Sequence, residues 1–450
     1  PTVEPRLASF INREQVIGSS EERLQMKKKK KVLVLGGGAR GSDYAGRMLR
    51  DHGEDIEVVG VAEPRDYWRT RLAERHGIPQ SHVFADWREP LSLERFADAV
   101  VIATPDRLHT EPAIACAQQG YHILLEKPMA PTEEECEQIV RAAHAAGVLF
   151  AVCHVLRYTP YTQTIKNLIA SGAIGDPVSI QHLEPVGYAH QAHSFVRGNW
   201  GNSQRSCFML LAKSCHDLDW ITAVMGKPVA RVASFGSLHH FRAEHAPSGA
   251  AARCLDCPFA RAEGSDGTGR DACPYSAVRI YLDAVARGQT GWPIDVITDE
   301  VTPAGVERAL REGPYGVCVY GCDNDVVDHQ VVSLEFDDGA TGVFTMTAFA
   351  APQGRQTRIF GTHGQLTGDD DCIELADFRS GETIRYEGRS ESDPVDGHGG
   401  ADAAMIAAFV KALVSNDASS LMTGPEETLA SHRVVFAAER ARIEGRVVEL

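Results

Sequence analysis

Val32-Leu33-Val34-Leu35-Gly36-Gly37-Gly38-Ala39-Arg40-Gly41 decides the fold of this chain. The first four residues are too short an apolar run for a helix and read as a buried strand, with glycines following at once. Gly36-x-Gly38-x-x-Gly41 directly after a strand is a dinucleotide-binding fingerprint. One glycine makes the tight turn, one lets backbone amides approach a pyrophosphate, and one lets the helix meet the strand. Ala39 and Arg40 open that helix and so belong to the predicted cofactor site. Working outward, a second strand at 57–62 ends in Glu63, 22 residues beyond Gly41, near where an acidic side chain accepts the adenine-ribose hydroxyls. A carboxylate there repels a 2′-phosphate, which favours NAD over NADP, although Arg65 offsets part of the repulsion. Helical stretches at 66–76, 110–119 and 132–146 alternate with strands at 99–103 and 122–125. Such alternation predicts βαβ units, a parallel sheet and an α/β Rossmann domain over 32–150, behind an N-terminal arm at 1–31.

After Phe150 the pattern changes. A helix at 161–171 precedes longer alternating strands at 178–183, 229–235, 331–336, 341–348 and 357–361. These predict an α+β second domain over 151–450 with a large, mostly antiparallel open sheet. The stretch at 239–321, rich in Gly, Asp and Arg, reads as an insertion. It carries Cys254-Leu255-Asp256-Cys257 and Cys273, and Cys318 and Cys322 lie at its end and just beyond. Two thiolates three apart can share a tetrahedral metal, so Cys254, Cys257, Cys273 and Cys318, with Cys322 as alternate, are the candidate ligands of a structural zinc.

The 450 residues carry 45 basic and 61 acidic side chains, a net charge of −16, which argues against nucleic acid or anionic membrane as a general partner. No apolar run approaches the ~20 residues that span a bilayer. Eleven scattered cysteines read poorly as a secreted disulfide framework. A cytoplasmic protein is the expectation.

Glu126-Lys127-Pro128 follows the strand at 122–125, and ligands bind at the carboxyl ends of parallel strands in this architecture. Lys127 is thus aimed at the cleft. This tripeptide behind a glycine-rich βαβ domain resembles the glucose-fructose oxidoreductase, inositol dehydrogenase and rhizopine catabolism (Gfo/Idh/MocA) family. Thr104-Pro105 with His109, Gly120 and Gly172-x-x-Gly175 sit where that family has similar signatures. The resemblance implies NAD as cofactor, with Thr104, Pro105, His109, Glu126 and Lys127 lining its site. It also implies hydride transfer from a secondary hydroxyl of a sugar, glycoside or cyclitol, and a homodimer or homotetramer built on the open sheet.

By the same resemblance Lys127 and His216 form the catalytic pair. Many family members have an aspartate four residues before the histidine; here Ala212 stands there, with Lys213 beside it. The chemistry requires a group to take the hydroxyl proton and a donor to steady the developing carbonyl oxygen. Neutral His216 suits the first and charged Lys127 the second, and the roles can also be exchanged. Asp219, one helical turn on, is placed to orient His216. Tyr158 and the segment 190–200, with His193, Arg197, Asn199 and Trp200, read as substrate-binding. Lys213 with Arg197 points to an anionic substrate group.

A second function starts with the same oxidation. The Lys213-Ser214-Cys215-His216-Asp217 and Gly397-His398-Gly399-Gly400-Ala401-Asp402 segments resemble family members that cleave glycosides by a redox-neutral route. There C3 is oxidised, the C1 substituent is eliminated, water adds and the hydride returns. A non-catalytic sensor is a third class, against which the presence of both Lys127 and His216 argues.

Overall fold

The computed structural model describes residues 28–261, 272–388 and 400–450. Residues 1–27 of the N-terminal arm and the Gly397-His398-Gly399 part of the second segment above lie outside them.

The first sheet is built from β1 (Lys30–Leu35), β2 (Ile56–Ala62), β3 (Val83–Phe84), β4 (Ala99–Ile102), β5 (His122–Leu125) and β6 (Phe150–Val152). Its helices are α1 (Ala39–His52), α2 (Asp66–His76), α3 (Thr110–Gln118) and α4 (Glu133–Ala146). The strand order is β3-β2-β1-β4-β5-β6 and every pairing is parallel. That is the doubly wound order, in which the switch point falls between β1 and β4 and opens a crevice at their carboxyl ends. Val32 to Leu35 are fully buried, as a strand covered by helices on both faces requires. The boundaries follow local chemistry. Thr132 caps α4 by accepting from the Glu135 amide, and Gly147 ends the helix in the left-handed conformation.

The remaining chain contributes α5 (Pro160–Ala170), β7 (Pro177–Pro185), α6 (Cys215–Met225) and β8 (Val229–Ser237). Beyond these come α7 (Pro303–Glu312), β9 (His329–Phe336), β10 (Thr341–Thr347), β11 (Gln356–Gly361), β12 (Gly364–Gly368), β13 (Cys372–Asp377) and β14 (Thr383–Glu387). Two long helices, α8 (Ala401–Ser415) and α9 (Pro425–Glu444), and a short β15 (Val448–Glu449) complete it. The nine strands form one sheet in the order β14-β13-β12-β11-β7-β10-β9-β8-β15, antiparallel except for β7 against β10. One face packs on α6 and α9 through Ile180, Val232, Leu334 and Phe344. The other is open and exposes Phe235 and Val343.

Two features exceed the sequence reading. Helix α8 packs against the first sheet: Met405, Ile406 and Phe409 share a core with Val32, Val34 and Leu124. The stretch between β8 and β9 has its own apolar centre of Val278, Tyr281, Ile294, Val306 and Leu310.

Candidate functional site

The glycine turn is built to leave room. Gly36 takes φ +89°, and a Cβ on it would lie 2.4 Å from the Ala103 carbonyl oxygen; on Gly41 it would meet the Gly36 oxygen at 2.0 Å. These near contacts press the β1 turn against the β4 turn and α1, and leave the α1 amino terminus facing the crevice. Oriented amides at such a terminus suit a diphosphate. Glu63 is buried at the end of β2, and its carboxylate is clasped by Arg65 through Nε at 2.7 Å and Nη2 at 3.2 Å. The residues present therefore fit a dinucleotide. Thr104 and Pro105 border the same crevice after β4. His109 does not reach it: the ring is fully buried and spans the Pro128 oxygen at 2.7 Å and the Thr104 oxygen at 2.8 Å. It braces the two loops from beneath.

Arg40, at the start of α1, donates to Glu126 Oε1 at 2.7 Å and to Asp402 at 2.6 Å, and also bonds the Tyr44 hydroxyl. Tyr44 in turn donates to Glu126 at 2.8 Å. Burial works to raise the Glu126 carboxyl, but Arg40 and Lys127 outweigh it and hold it below the ordinary carboxylate range. Glu126 is thus an ionised anchor beneath Lys127, whose backbone amide donates to it at 2.5 Å.

Lys127 and His216 come together across the cleft. The Lys127 ammonium donates to the backbone oxygen of Ala212 at 2.6 Å, one turn ahead of His216. Burial pushes the His216 imidazole well below its usual value, and the charge of Lys127 is the next largest cause. At neutral pH the ring is uncharged and holds a lone pair.

A charge network missed from the sequence surrounds this pair. Arg355, from the loop before β11, bonds Asp217 Oδ1 at 2.5 Å and Glu184 at 2.9 Å, and its Nη2 lies 3.5 Å from His216 Nε2. Lys213 pairs with the other oxygen of Glu184 at 2.9 Å. Although burial opposes ionisation of Asp217, Arg355 and His182 hold its carboxyl far below the usual range. Asp217 is adjacent to the predicted histidine, and so was findable. Arg355 lies 139 positions from His216 in a loop without periodicity, and no local signal marks it.

Several predicted substrate residues have other partners. Both oxygens of Asp219 are taken by Arg157 at 2.7 Å, so it anchors α6 instead of orienting His216. The Tyr158 hydroxyl bonds Thr423 at 3.1 Å and the Met422 amide at 2.9 Å. His193 bonds the Tyr281 hydroxyl at 2.8 Å and stacks on Tyr315. Arg197 donates to the Val317 oxygen at 2.7 Å and the Tyr275 oxygen at 2.8 Å. It is a bolt for the insertion, remote from the partners of Lys213, and the two do not form a joint anion site. Trp200 donates to Asp106 at 3.0 Å, and Asn199 is exposed on a short helical turn. Of the substrate-binding set, Lys213 stands in the charge network around His216.

The cysteine reading is corrected. Among the described residues, no group of three or more His, Cys, Asp and Glu side chains is arranged to hold a metal ion. Cys254, Cys257, Cys273 and Cys318 do line one small cavity, but Arg197 enters it and donates to the Cys254 sulfur at 3.4 Å. A guanidinium there opposes a dication. Burial raises the Cys273 and Cys318 thiols and pushes Cys322 up to about 11. The insertion closes on its own apolar centre instead of a zinc clip.

The oxidoreductase-family model with an NAD-binding Rossmann fold matches residues 30–154, and that family's C-terminal alpha/beta domain matches 166–450. The chain is 29% identical to scyllo-inositol 2-dehydrogenase (NADP(+)) of Bacillus subtilis, covering 45% of this chain and 53% of the relative. It is 30% identical to 2,7-anhydro-N-acetylneuraminate hydratase of Escherichia coli K12, with 45% and 51% covered. The chain spans about half the length of these relatives. An oxidoreductase from Agrobacterium radiobacter, crystallised with NAD+, L-tartaric acid and magnesium, superposes with a TM-score of 0.65 at 14% identity, over 94% of this chain and 98% of that one. A parallel sheet with a glycine turn, a mixed sheet behind it and matches spanning both halves lead to one assignment: the chain belongs to the Gfo/Idh/MocA oxidoreductase family, with an NAD-binding Rossmann domain.

Proposed function

We propose that this protein oxidises a secondary hydroxyl of a sugar, glycoside or cyclitol. Bound NAD supplies the hydride acceptor. The observation that carries the reading is the contact of Lys127 Nζ with the Ala212 oxygen, which joins the rim of the Rossmann sheet to the short turn leading into the helix that bears His216. His216, kept neutral by burial and by neighbouring cations, takes the hydroxyl proton. Lys127, as the cation, donates a hydrogen bond to the oxygen that becomes a carbonyl. Arg355 and Asp217 hold the helix start in place. The test is a panel of cyclitols and sugars followed by nicotinamide absorbance, with Lys127→Met and His216→Ala as controls. If neither change slows turnover of a substrate so found, these roles are wrong.

A second reading is favoured by the likeness to a hydratase: oxidation, elimination, water addition and return of the hydride, with no net redox change. It predicts product without accumulation of NADH, and deuterium exchange at C2. We further propose that the protein works in the cytoplasm, a reducing compartment that suits eleven free thiols. Among the described residues, no helix is long and apolar enough to cross a membrane. The open sheet face, with Phe235 and Val343 exposed, supports a homo-oligomer.

A further inference from the structure

Trp292, in the insertion, is 58% exposed and is the most open of the five tryptophans. Its ring is nonetheless fixed. It meets the His190 ring at 5.0 Å and the His193 ring at 5.3 Å, nearly perpendicular to both. His193 is held in turn: its Nδ1 bonds the Tyr281 hydroxyl at 2.8 Å, and Tyr315 stacks on its face at 5.0 Å. Burial pulls the His193 imidazole down to about 4, so this base carries no charge at neutral pH. A large apolar ring seated on such a base, with the rest of its surface open, is organised for a flat partner before one arrives.

The fold ties this ring to the cleft. From His190 the row of rings continues to Phe195 at 5.7 Å and from Phe195 to Trp200 at 6.2 Å. Trp200 donates to Asp106, in the turn that follows Thr104 and Pro105 at the edge of the cofactor crevice. His190 itself stands six positions after Glu184, the partner of Lys213 and of the Arg355 that lies beside His216. On the other side, Asp295 follows Trp292 by three positions and feels helix α2 of the Rossmann domain: burial raises its carboxyl and the charge of Arg71 draws it back. The insertion thus brings Trp292 to the mouth of the cleft. The groups around His216 are charged and answer hydroxyls, whereas Trp292 answers an apolar ring face, so the two suit different parts of one ligand.

We propose that Trp292 is the platform for a second ring, carried on the glycosidic oxygen of the sugar that Lys127 and His216 address, and that the substrate is therefore a glycoside and not a free monosaccharide or cyclitol. The C–H face of a pyranose or the face of an aryl aglycone stacks on the open indole. The inference rests on the sugar-oxidising reading for the identity of the first ring; the stacking is a binding property and is tested without turnover.

The test is a calorimetric titration of the whole protein loaded with NADH, which cannot accept a hydride, so that ligands bind without reacting. The probes are the phenyl and methyl glycosides of glucose, galactose, mannose and glucuronic acid in both anomeric forms. At least one phenyl glycoside is expected to bind at least about tenfold more tightly than its methyl counterpart. In Trp292→Ala that gain should shrink below about threefold while the affinity for the methyl glycoside changes by less than about threefold, and Trp292→Phe should restore most of the gain. In the wild type the same phenyl glycoside should shield tryptophan fluorescence from acrylamide more than the methyl glycoside does, a readout that needs no variant. A panel without a phenyl preference, a preference that survives Trp292→Ala, equal losses for both kinds of glycoside, or equal shielding by both would each overturn the proposal. A preference that depends on Trp292, with turnover unchanged in Lys127→Met and His216→Ala, would uphold the platform and overturn the oxidation roles instead.

Discussion

Arg355 Nε lies 2.5 Å from Oδ1 of Asp217, the residue that follows His216 along α6. Asp217 is fully buried, the Arg355 side chain is 12% exposed, and the same guanidinium bonds Glu184. Removing one partner of such a pair strands the other as an uncompensated charge. Arg355→Met should destabilise the protein by about 3–5 kcal/mol. Adding Asp217→Asn to that variant should recover part of the loss, since the stranded charge is then gone. Urea unfolding of the two single variants and the double variant measures the coupling, and strict additivity would refute it.

Burial pushes the His432 imidazole down to about 3, against about 6.5 in an unfolded chain. Between those values the unfolded state binds a proton that the folded state refuses. The contribution of His432 is therefore complete above about pH 6.5 and is lost as pH falls toward 3, at a slope near 1.4 kcal/mol per pH unit, about one proton's worth. Unfolding free energy measured from pH 7 downward should show it, and His432→Gln should flatten the curve.

A methyl group on Gly41 would sit 2.0 Å from the Gly36 oxygen, inside a turn with nowhere to move. Gly41→Ala should force β1 and α1 apart and abolish NADH binding in a fluorescence titration. Gly147→Ala makes the comparison, because a Cβ there meets nothing within 4 Å and its φ of +63° causes only local strain. It should lower stability by about 1 kcal/mol and leave NADH binding intact.

Lys127→Met keeps the length of the side chain and removes its charge and the bond to the Ala212 oxygen. Turnover of an identified substrate should fall by about 10²–10⁴-fold, the usual weight of a proton-handling group. Because Lys127 lowers the His216 imidazole, its loss should move the acidic limb of the pH profile upward. An unmoved limb would separate Lys127 from His216.

Prolonged treatment with EDTA should leave the melting temperature unchanged, since the described part of the insertion is closed by Tyr281, Val306 and Leu310 and by Arg197. Metal analysis of the purified protein should find no stoichiometric zinc. A drop in melting temperature on chelation would reverse this conclusion.

The glycine turn, Glu63, Glu126-Lys127 and the βαβ alternation were legible because each is local: a turn, a strand end and a helix start lie within a few residues of one another, and backbone sterics dictate which residue types fit. His216 was legible through its neighbours on one helix. The partners of these groups were not. Asp219 read as a ring-orienting acid, yet both its oxygens are taken by Arg157, 62 residues earlier, at 2.7 Å. The same holds for Arg197, whose charge is spent inside the insertion. Local residue order carried the parallel sheet and the cofactor turn, and resemblance named Lys127 and His216 as the pair proposed to react. Only the tertiary structure decided which charges meet, because Arg355 and Glu184 are brought to Asp217 and Lys213 by strands distant in the chain, and pairing at 3 Å has no signature in residue spacing.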